Sequence, residues 1–178
     1  MSKILVLVEG ATEKGAVSAL AKKLKAKVRA APMNGNNPQK LRGFIRTTNY
    51  DKFIVLKDLK PHGEENIRRK FNAIRRNLHA DIRDKVKLAI AKQTIEAWFL
   101  ADLEALERVF NCEIEETIEN PEEIQDPEEE LDNLLRKHGE RYHKGEQVAK
   151  RIMEELNVDK ASSKLDSLKN FLGDIHDP

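Results

Sequence analysis

The sequence predicts an α/β fold, in which a mostly parallel central sheet of about four strands is flanked by helices and followed by a C-terminal helical extension. Two apolar runs, ILVLV and FIVL, are continuous rather than alternating, as in strands that a parallel sheet buries on both faces. Segments typical of strands and helices alternate over the first 110 residues with short connections. Beyond Phe110 only helical patterns follow.

The elements of the first half follow in chain order. Residues 3–9 form the first predicted strand, and residues 12–25 a helix with apolar residues at helical spacing. Residues 27–33 are a weaker strand, and a loop rich in Asn, Gly and Pro leads to a short helix from Pro38 to about Arg46. Residues 52–60 form the second strong strand.

The turn KPHG is followed by a predicted long helix with a core-facing stripe. The stripe consists of Ile67, Phe71, Ile74, Leu78 and Ile82. Residues 86–95 are a further strand and residues 96–110 a further helix. These elements make residues 1–112 an α/β domain.

The second half differs in charge and in pattern. Residues 113–132 hold eleven acids and no base, whereas residues 1–60 hold thirteen Lys and Arg against four acids. Residues 113–125 are predicted to be an acidic linker. Residues 126–178 form a helical extension packed on the same domain: a helix over 126–139, capped by Asp126 and stopped by Gly139, and two more around 146–156 and 162–172.

Composition excludes several classes of protein. Cys112 is the one cysteine, which excludes an internal disulfide framework and a four-cysteine zinc site. No run approaches the about 18 apolar residues that span a bilayer, and the amino terminus lacks a cleavable apolar signal, so we expect a soluble, cytoplasmic protein with no membrane partner. The Lys- and Glu-rich charge is typical of thermophiles.

Acidic side chains follow the predicted strands at one edge of the sheet. Glu9 and Asp58 close two strands, Glu96 lies near the end of another, and Glu13 starts the helix that leaves this edge. Two carboxylates 4 Å apart repel by about 4 kcal/mol at an effective dielectric of 20. A divalent cation offsets that repulsion, and Mg²⁺ prefers such oxygen ligands. The acids therefore predict a magnesium site.

Structural roles for the same residues stay open. Each acid can instead be a solvated strand end, a helix cap or a favourable charge at a helix N-terminus. Asp102 interrupts the apolar stripe of the helix over 96–110, and a carboxylate there must be paired or protonated. Asp102 is either structural or an acid that contacts the residues of the site without binding the ligand itself.

The motifs VLVEG, TE and IVLKDL resemble the TOPRIM domain of topoisomerases, primases and overcoming-lysogenization-defect (OLD) nucleases. The segments IEAWFLAD and SSKLDSLKNFL resemble, more narrowly, an uncharacterised group of short prokaryotic TOPRIM-like proteins related to OLD-type nucleases. The resemblance implies a TOPRIM-like fold and Mg²⁺- or Mn²⁺-dependent cutting or joining of phosphodiesters. It also implies an ATPase partner, since the chain has no P-loop of its own.

The resemblance implies roles for individual residues. Glu9 matches the TOPRIM glutamate, Glu13 the second acid of the nuclease subgroup, and Asp58 the first acid of the D-x-D motif. These three are the expected catalytic residues, and Glu9, Asp58 and Glu96 are the expected metal ligands. Lys60 stands where the family has the second D-x-D acid, so it either neutralises a carboxylate or contacts a phosphate. Glu64 or Glu65 is a candidate for the missing oxygen ligand.

Basic residues on the long predicted helix suggest contact with phosphate. Lys60 and a row comprising Arg68, Arg75, Arg76 and Arg83 are the candidate groups for a nucleic-acid backbone. The alternative is a solvated face of a highly charged protein.

Three functions remain open from the sequence. The first is Mg²⁺-dependent hydrolysis of nucleic-acid phosphodiesters, and the second is a catalytically degenerate TOPRIM-like module that binds nucleic acid or an ATPase partner without cleavage. A receiver-like or nucleotide-binding α/β domain is the third, although paired acids after the first strand are missing. A homodimer stays open in each case.

Overall fold

A computed structural model of the chain describes residues 2–33, 43–46 and 49–177. Its four strands are β1 (Ile4–Val8), β2 (Val28–Pro32), β3 (Lys52–Asp58) and β4 (Val86–Ala91). They form a sheet of order β2-β1-β3-β4, in which each adjacent pair is parallel. The predicted α/β class and the parallel sheet of about four strands are confirmed.

Helices connect and cover the strands. They are α1 (Ala11–Lys23), α2 (Glu64–Arg76), α3 (Ala80–Arg83), α4 (Glu96–Leu100), α5 (Leu103–Phe110), α6 (Pro127–Arg136), α7 (Glu146–Glu155), α8 (Val158–Lys164) and α9 (Asp166–His176). A 3₁₀ turn spans Pro121–Glu123. The short helix predicted from Pro38 falls mostly outside the described residues, and only its last turn, residues 43–46, is described and helical.

Hydrophobic side chains cover both faces of the sheet, which explains the continuous apolar run of β1. Ile4, Val6 and Val8 belong to the larger cluster, to which α1 and the helices after β4 contribute. Leu5 and Leu7 belong to a second cluster on the opposite face, where α2 packs. Because the larger cluster also contains residues of α6, α7 and α9, the C-terminal helices share one core with the sheet.

Helix α1 approaches α7 closely at Gly15. A Cβ atom added there would lie 2.1 Å from the backbone oxygen of Glu146. Lys14 forms an ion pair of 2.9 Å with the side chain of the same residue, Glu146. The absence of a side chain at position 15 therefore allows the two helices to touch.

Three predicted helices are broken. The long helix after KPHG ends at Arg76 and restarts at Ala80, and the Asn77 side-chain amide donates to the Ala73 carbonyl where the first part ends. The helix predicted over 96–110 breaks at Asp102, which becomes the N-cap residue of α5. The last predicted helix is replaced by α8 and α9, which meet at an extended, buried Leu165.

The segment 113–125 is irregular apart from its 3₁₀ turn. Ile114, Ile118 and Ile124 are partly buried against the larger cluster. The acidic residues between them face outward or lie partly exposed, apart from Glu122. The segment thus lies along the core.

Candidate functional site

The carboxyl ends of β1 and β3 lie side by side, and each ends on an acid. Asp58 is the last residue of β3, and Glu9 directly follows β1. The backbone N–H of Asp58 donates to Oε2 of Glu9 over 3.3 Å. Asp58 is buried, and its Oδ1 has no hydrogen-bond partner within the described residues.

Glu13 lies in the first turn of α1, beside these strand ends. Its Oε2 accepts a hydrogen bond of 2.9 Å from the backbone N–H of Gly10, the N-cap residue of α1; this is one half of a capping box, since glycine has no side chain to form the other. Burial raises the pKa of Glu13, and the nearby carboxylate of Glu96 acts in the same direction. Glu13 is thus both a helix cap and a member of a group of acids.

Glu96 begins α4 and is fully buried. The sequence predicted a position near the end of a strand, but β4 already ends at Ala91. Its Oε1 accepts a hydrogen bond of 3.0 Å from the Tyr142 hydroxyl and lies 3.5 Å from Lys144 Nζ. Its Oε2 is buried without a partner in the described part of the chain. Tyr142 and Lys144 lie between α6 and α7, so the C-terminal helices help to enclose this acid.

Charge interactions show that these acids lie near one another. Burial, followed by the negative charges of Glu13, Glu96 and Glu9, raises the pKa of Asp58 to about 8. We call Glu9, Glu13, Asp58 and Glu96 the acid cluster. Glu13 and Glu96, in the first turns of α1 and α4, thus lie near the two acids at the carboxyl ends of β1 and β3.

Lys57 is a member of this site that sequence reasoning missed. It is a buried residue of β3, and its Nζ pairs with Oε1 of Glu9. β1 and β3 run parallel with Leu7 opposite Val55, and continuing this register by two residues places Glu9 opposite Lys57. The available signal was a lysine inside an otherwise apolar strand, immediately before the strand-end aspartate.

Lys60 contacts the chain elsewhere. Its Nζ donates to the backbone carbonyl of Gln125, in the segment that precedes α6. The lysine that pairs with Glu9 in the structure is Lys57, and a role of Lys60 in the site stays a prediction. Glu64, a candidate for the missing ligand, is bound to Arg68 over 2.7 Å, and Glu65 is exposed in the first turn of α2.

The arginine row is held largely by its own helices. Arg75 donates to the Arg83 carbonyl over 3.0 Å and lies 3.5 Å from Asp84. Arg83 in turn donates to the carbonyls of Arg76 and Leu78. Arg68 and Arg76 are exposed on α2. The arginine side chains remain solvent-accessible, although backbone carbonyls and Asp84 already accept hydrogen bonds from Arg75 and Arg83.

Asp102 lies outside the acid cluster and is fully paired. Its Oδ2 accepts a hydrogen bond of 2.8 Å from the backbone N–H of Asn157, and its Oδ1 accepts one of 3.0 Å from Lys160 Nζ. It therefore joins the start of α5 to the start of α8. Of the two roles left open for it, this geometry matches the structural one.

The donor set fits Mg²⁺ through two carboxylates and water. Within residues 2–33, 43–46 and 49–177, no group of three or more His, Cys, Asp or Glu side chains is arranged to hold a metal ion. Mg²⁺ is commonly bound by one or two carboxylates and keeps several waters. Asp58 and Glu96 each supply a buried oxygen without a partner in the described part of the chain, and these are hard oxygen donors.

None of the described helices combines the length and the apolar character required to cross a membrane.

Solved structures with a similar fold come from OLD proteins. The chain matches the C-terminal region of the Burkholderia pseudomallei OLD protein with a TM-score of 0.59 and 19% identity, over 99% of this chain and 98% of that one. It matches the C-terminal region of the Xanthomonas campestris pv. campestris OLD protein with a TM-score of 0.50 and 17% identity, over 97% of both chains. The chain thus shares the fold of the C-terminal regions of OLD proteins, and the TOPRIM-like fold that the motifs predicted is confirmed.

Sequence comparisons give a family. No curated protein matches the chain. The model of one family, described as a domain of unknown function, matches residues 8–176, which is nearly the whole chain. The chain therefore belongs to the DUF4276 family.

Proposed function

We propose that this TOPRIM-like domain hydrolyses phosphodiester bonds of nucleic acids with Mg²⁺ or Mn²⁺ as its cofactor. One observation carries the proposal: the acid cluster buries a carboxylate, Asp58, whose Oδ1 has no partner within the described residues and whose pKa is raised to about 8. Ionising Asp58 in this setting costs free energy unless a cation approaches. The fold shared with OLD C-terminal regions supports the same reading.

Each residue of the cluster has a role in this proposal. Glu9 and Asp58 hold the metal, and Glu96 is an accessory ligand through its partnerless oxygen. Glu13 is an accessory ligand or the base that takes a proton from the attacking water, a role that its raised pKa suits. When bound, the ion supplies charge neutralisation at the phosphoryl oxygens and lowers the pKa of a bound water.

Cationic groups around the cluster position the substrate. Burial alone would lower the pKa of Lys144, but the neighbouring carboxylates of Glu96 and Glu128 raise it, so the ammonium stays charged beside the acids. Lys60, Arg68, Arg75 and Arg76 bind the phosphate backbone in this proposal. An ATPase partner would supply ATP hydrolysis, and the site of action would be the cytoplasm.

A second function is favoured by a specific observation. Lys57 already neutralises Glu9, and Lys60 stands where the TOPRIM motif has an acid. These two cations suit a domain that binds nucleic acid or an ATPase partner and has lost cleavage.

Nicking of supercoiled plasmid DNA in Mg²⁺ and in Mn²⁺ tests the proposal. Glu9→Gln and Asp58→Asn should each lower the rate by about 100-fold or more, because each removes a metal ligand. Asp81→Asn, at an exposed acid of α3, is the matched control and should cleave at the rate of the unmodified protein. DNA binding without nicking, unaffected by Glu9→Gln, would instead establish the non-cleaving module.

A further inference from the structure

We propose that the outer edge of β4 is a docking site for an extended, acidic peptide segment of a partner protein, which adds to the four-stranded sheet as a further strand. The proposal goes beyond the proposed function, because it uses neither the acid cluster nor a metal ion. It gives Arg68 and Arg75, which the proposed function assigns to phosphate, a ligand of another kind.

The backbone of β4 has hydrogen-bonding groups on its outer edge. The carbonyls of Lys85, just before β4, and of Ala91, its last residue, accept hydrogen bonds of 2.8 and 3.0 Å from the β3 side. Backbone groups of successive strand residues point to opposite sides, so those of Val86, Leu88 and Ile90 point outward. Within the described ranges, no strand and no other hydrogen-bond partner meets them. Such an edge is a template for an added strand.

A groove runs beside this edge, between α2 on one face of the sheet and α9 on the other. Its volume is about 280 Å³. Phe71 of α2 lines it together with Val86 and Leu88, which belong to the second hydrophobic cluster, and Lys87 and Asp174 of α9 line it as well. A strand in the groove would alternate its side chains between the α2 side and the α9 side.

The cations of the groove favour acidic side chains in its occupant. Lys87 already pairs with Asp174 and Asp177 on the α9 side. On the α2 side, Arg68 and Arg75 pair with exposed acids, and surface ion pairs of this kind are weak. Carboxylates on every second residue of an incoming strand would therefore replace those acids and meet the two guanidinium groups.

The strand edge favours a peptide over two other occupants. A nucleic-acid backbone pairs with arginines, but it has no alternating N–H and C=O groups to match those of β4. A second copy that paired through the same groove would bring the same two arginines to it, so like charges would meet. An acidic strand satisfies both the backbone edge and the cations.

The probe is a ten-residue peptide in which Glu and Val alternate, added to ¹⁵N-labelled protein. We expect it to shift the NMR signals of the Val86, Leu88 and Ile90 amides and to slow their hydrogen exchange. A peptide with Lys in place of Glu should bind about tenfold more weakly or less, because like charges then meet. A peptide with Pro in place of Val keeps the charge but lacks half of the N–H donors, and it should not protect these amides.

Two variants test the edge and the charge separately. Leu88→Pro removes an outward N–H and no hydrogen bond to β3, and should weaken binding of the Glu–Val peptide by about fivefold or more. Arg68→Gln leaves the strand intact and should weaken it by about threefold, which keeps the test decisive if Leu88→Pro does not fold. Lys70→Gln, at an exposed lysine of α2 outside the groove, is the matched control and should bind as the unmodified protein does.

Several results would overturn the inference. They are an absence of shifts at these amides with millimolar Glu–Val peptide, and equal binding of the Lys-containing peptide. Protection of the same amides by an oligothymidylate but not by the peptide would assign the groove to nucleic acid. Shifts of these amides that depend on protein concentration alone would assign it to a second copy. None of these readouts involves cleavage, so failure of the inference and failure of the proposed function are distinct.

Discussion

Tyr142 donates a hydrogen bond of 3.0 Å to Glu96, and this contact ties the connection between α6 and α7 to the start of α4. Both residues are buried, and 46 positions of the chain separate them. Burial and then the charge of Glu96 raise the pKa of Tyr142, so the phenol stays protonated and remains a donor. The connection between α6 and α7 thus supplies a hydrogen-bond donor to the acid cluster.

Removing the Tyr142 hydroxyl should destabilise the fold. Tyr142→Phe leaves Oε1 of the buried Glu96 without its phenolic donor, and loss of a partner to a buried charged group costs about 1–3 kcal/mol. Urea denaturation followed by circular dichroism measures the free energy of unfolding. Tyr50→Phe, at a tyrosine that packs edge-on against Phe53, is the control and should change it less. Equal losses in the two variants would contradict the assigned contact.

Asp58 should make the metal-free protein less stable as pH rises. Its pKa is about 8 in the folded state against an ordinary value of 3.8, so between these values the folded state holds a proton that the unfolded state has lost. The free energy of unfolding should therefore fall with pH in this range, by at most about 1.4 kcal/mol per pH unit for this group. Urea denaturation in EDTA across pH 4–8 measures the slope.

Asp58→Asn tests whether the Asp58 carboxyl causes this dependence of stability on pH. It cannot ionise, so its stability should depend less on pH and should exceed that of the unmodified protein near the upper end of the range. Glu13, whose pKa is also raised, would leave a residual slope of the same sign. A slope that is unchanged by Asp58→Asn would show that the Asp58 carboxyl does not titrate in this way.

Asp102 should contribute to stability rather than to the site. Asp102→Ala leaves the Asn157 N–H and the Lys160 ammonium without this partner, and we expect a loss of about 2 kcal/mol. Glu104→Ala removes an exposed partner of the same lysine and should cost at most about 1 kcal/mol. Thermal denaturation measures both. Mn²⁺ affinity should be the same in both variants, and a selective loss in Asp102→Ala would assign Asp102 to the metal site.

Gly15 should tolerate no side chain. Gly15→Ala places a Cβ atom 2.1 Å from the backbone oxygen of Glu146, so α1 and α7 must move apart, at a cost of about 1–3 kcal/mol. Gly173→Ala is the control, since nothing lies within 4 Å of a Cβ atom there and the helix of α9 favours alanine. Urea denaturation of both variants should show a loss for the first and no loss for the second.

Local patterns predicted the sheet and the edge at which the acids meet. The apolar runs identify β1 and β3, and parallel strands necessarily place Glu9 and Asp58 at the same edge. The Lys57–Glu9 pair depends on strand register, which turns and crossovers set and which apolar runs alone do not reveal. The partners of Glu96 depend on contacts across 46 residues. Such contacts leave no local pattern.

Apolar spacing also explains where the helix predictions failed. The apolar spacing typical of a helix continues on both sides of Asp102 and of residues 77–79, so spacing alone does not predict the breaks, although Asp102 interrupts the stripe. In the structure, the hydrogen bonds of Asp102 to α8 outweigh continuation of the helix. Tertiary contacts of this kind override local propensity.

The larger hydrophobic cluster has a consequence for synthesis on the ribosome. The sheet and α1 are translated first, but the residues that complete their core, such as Ile152 and Phe171, come at the far end of the chain. Tyr142 and Lys144 are also made late, and until they emerge Glu96 has neither of these partners. In the nascent chain the acid cluster therefore lacks these partners of Glu96 until the connection between α6 and α7 has left the exit tunnel.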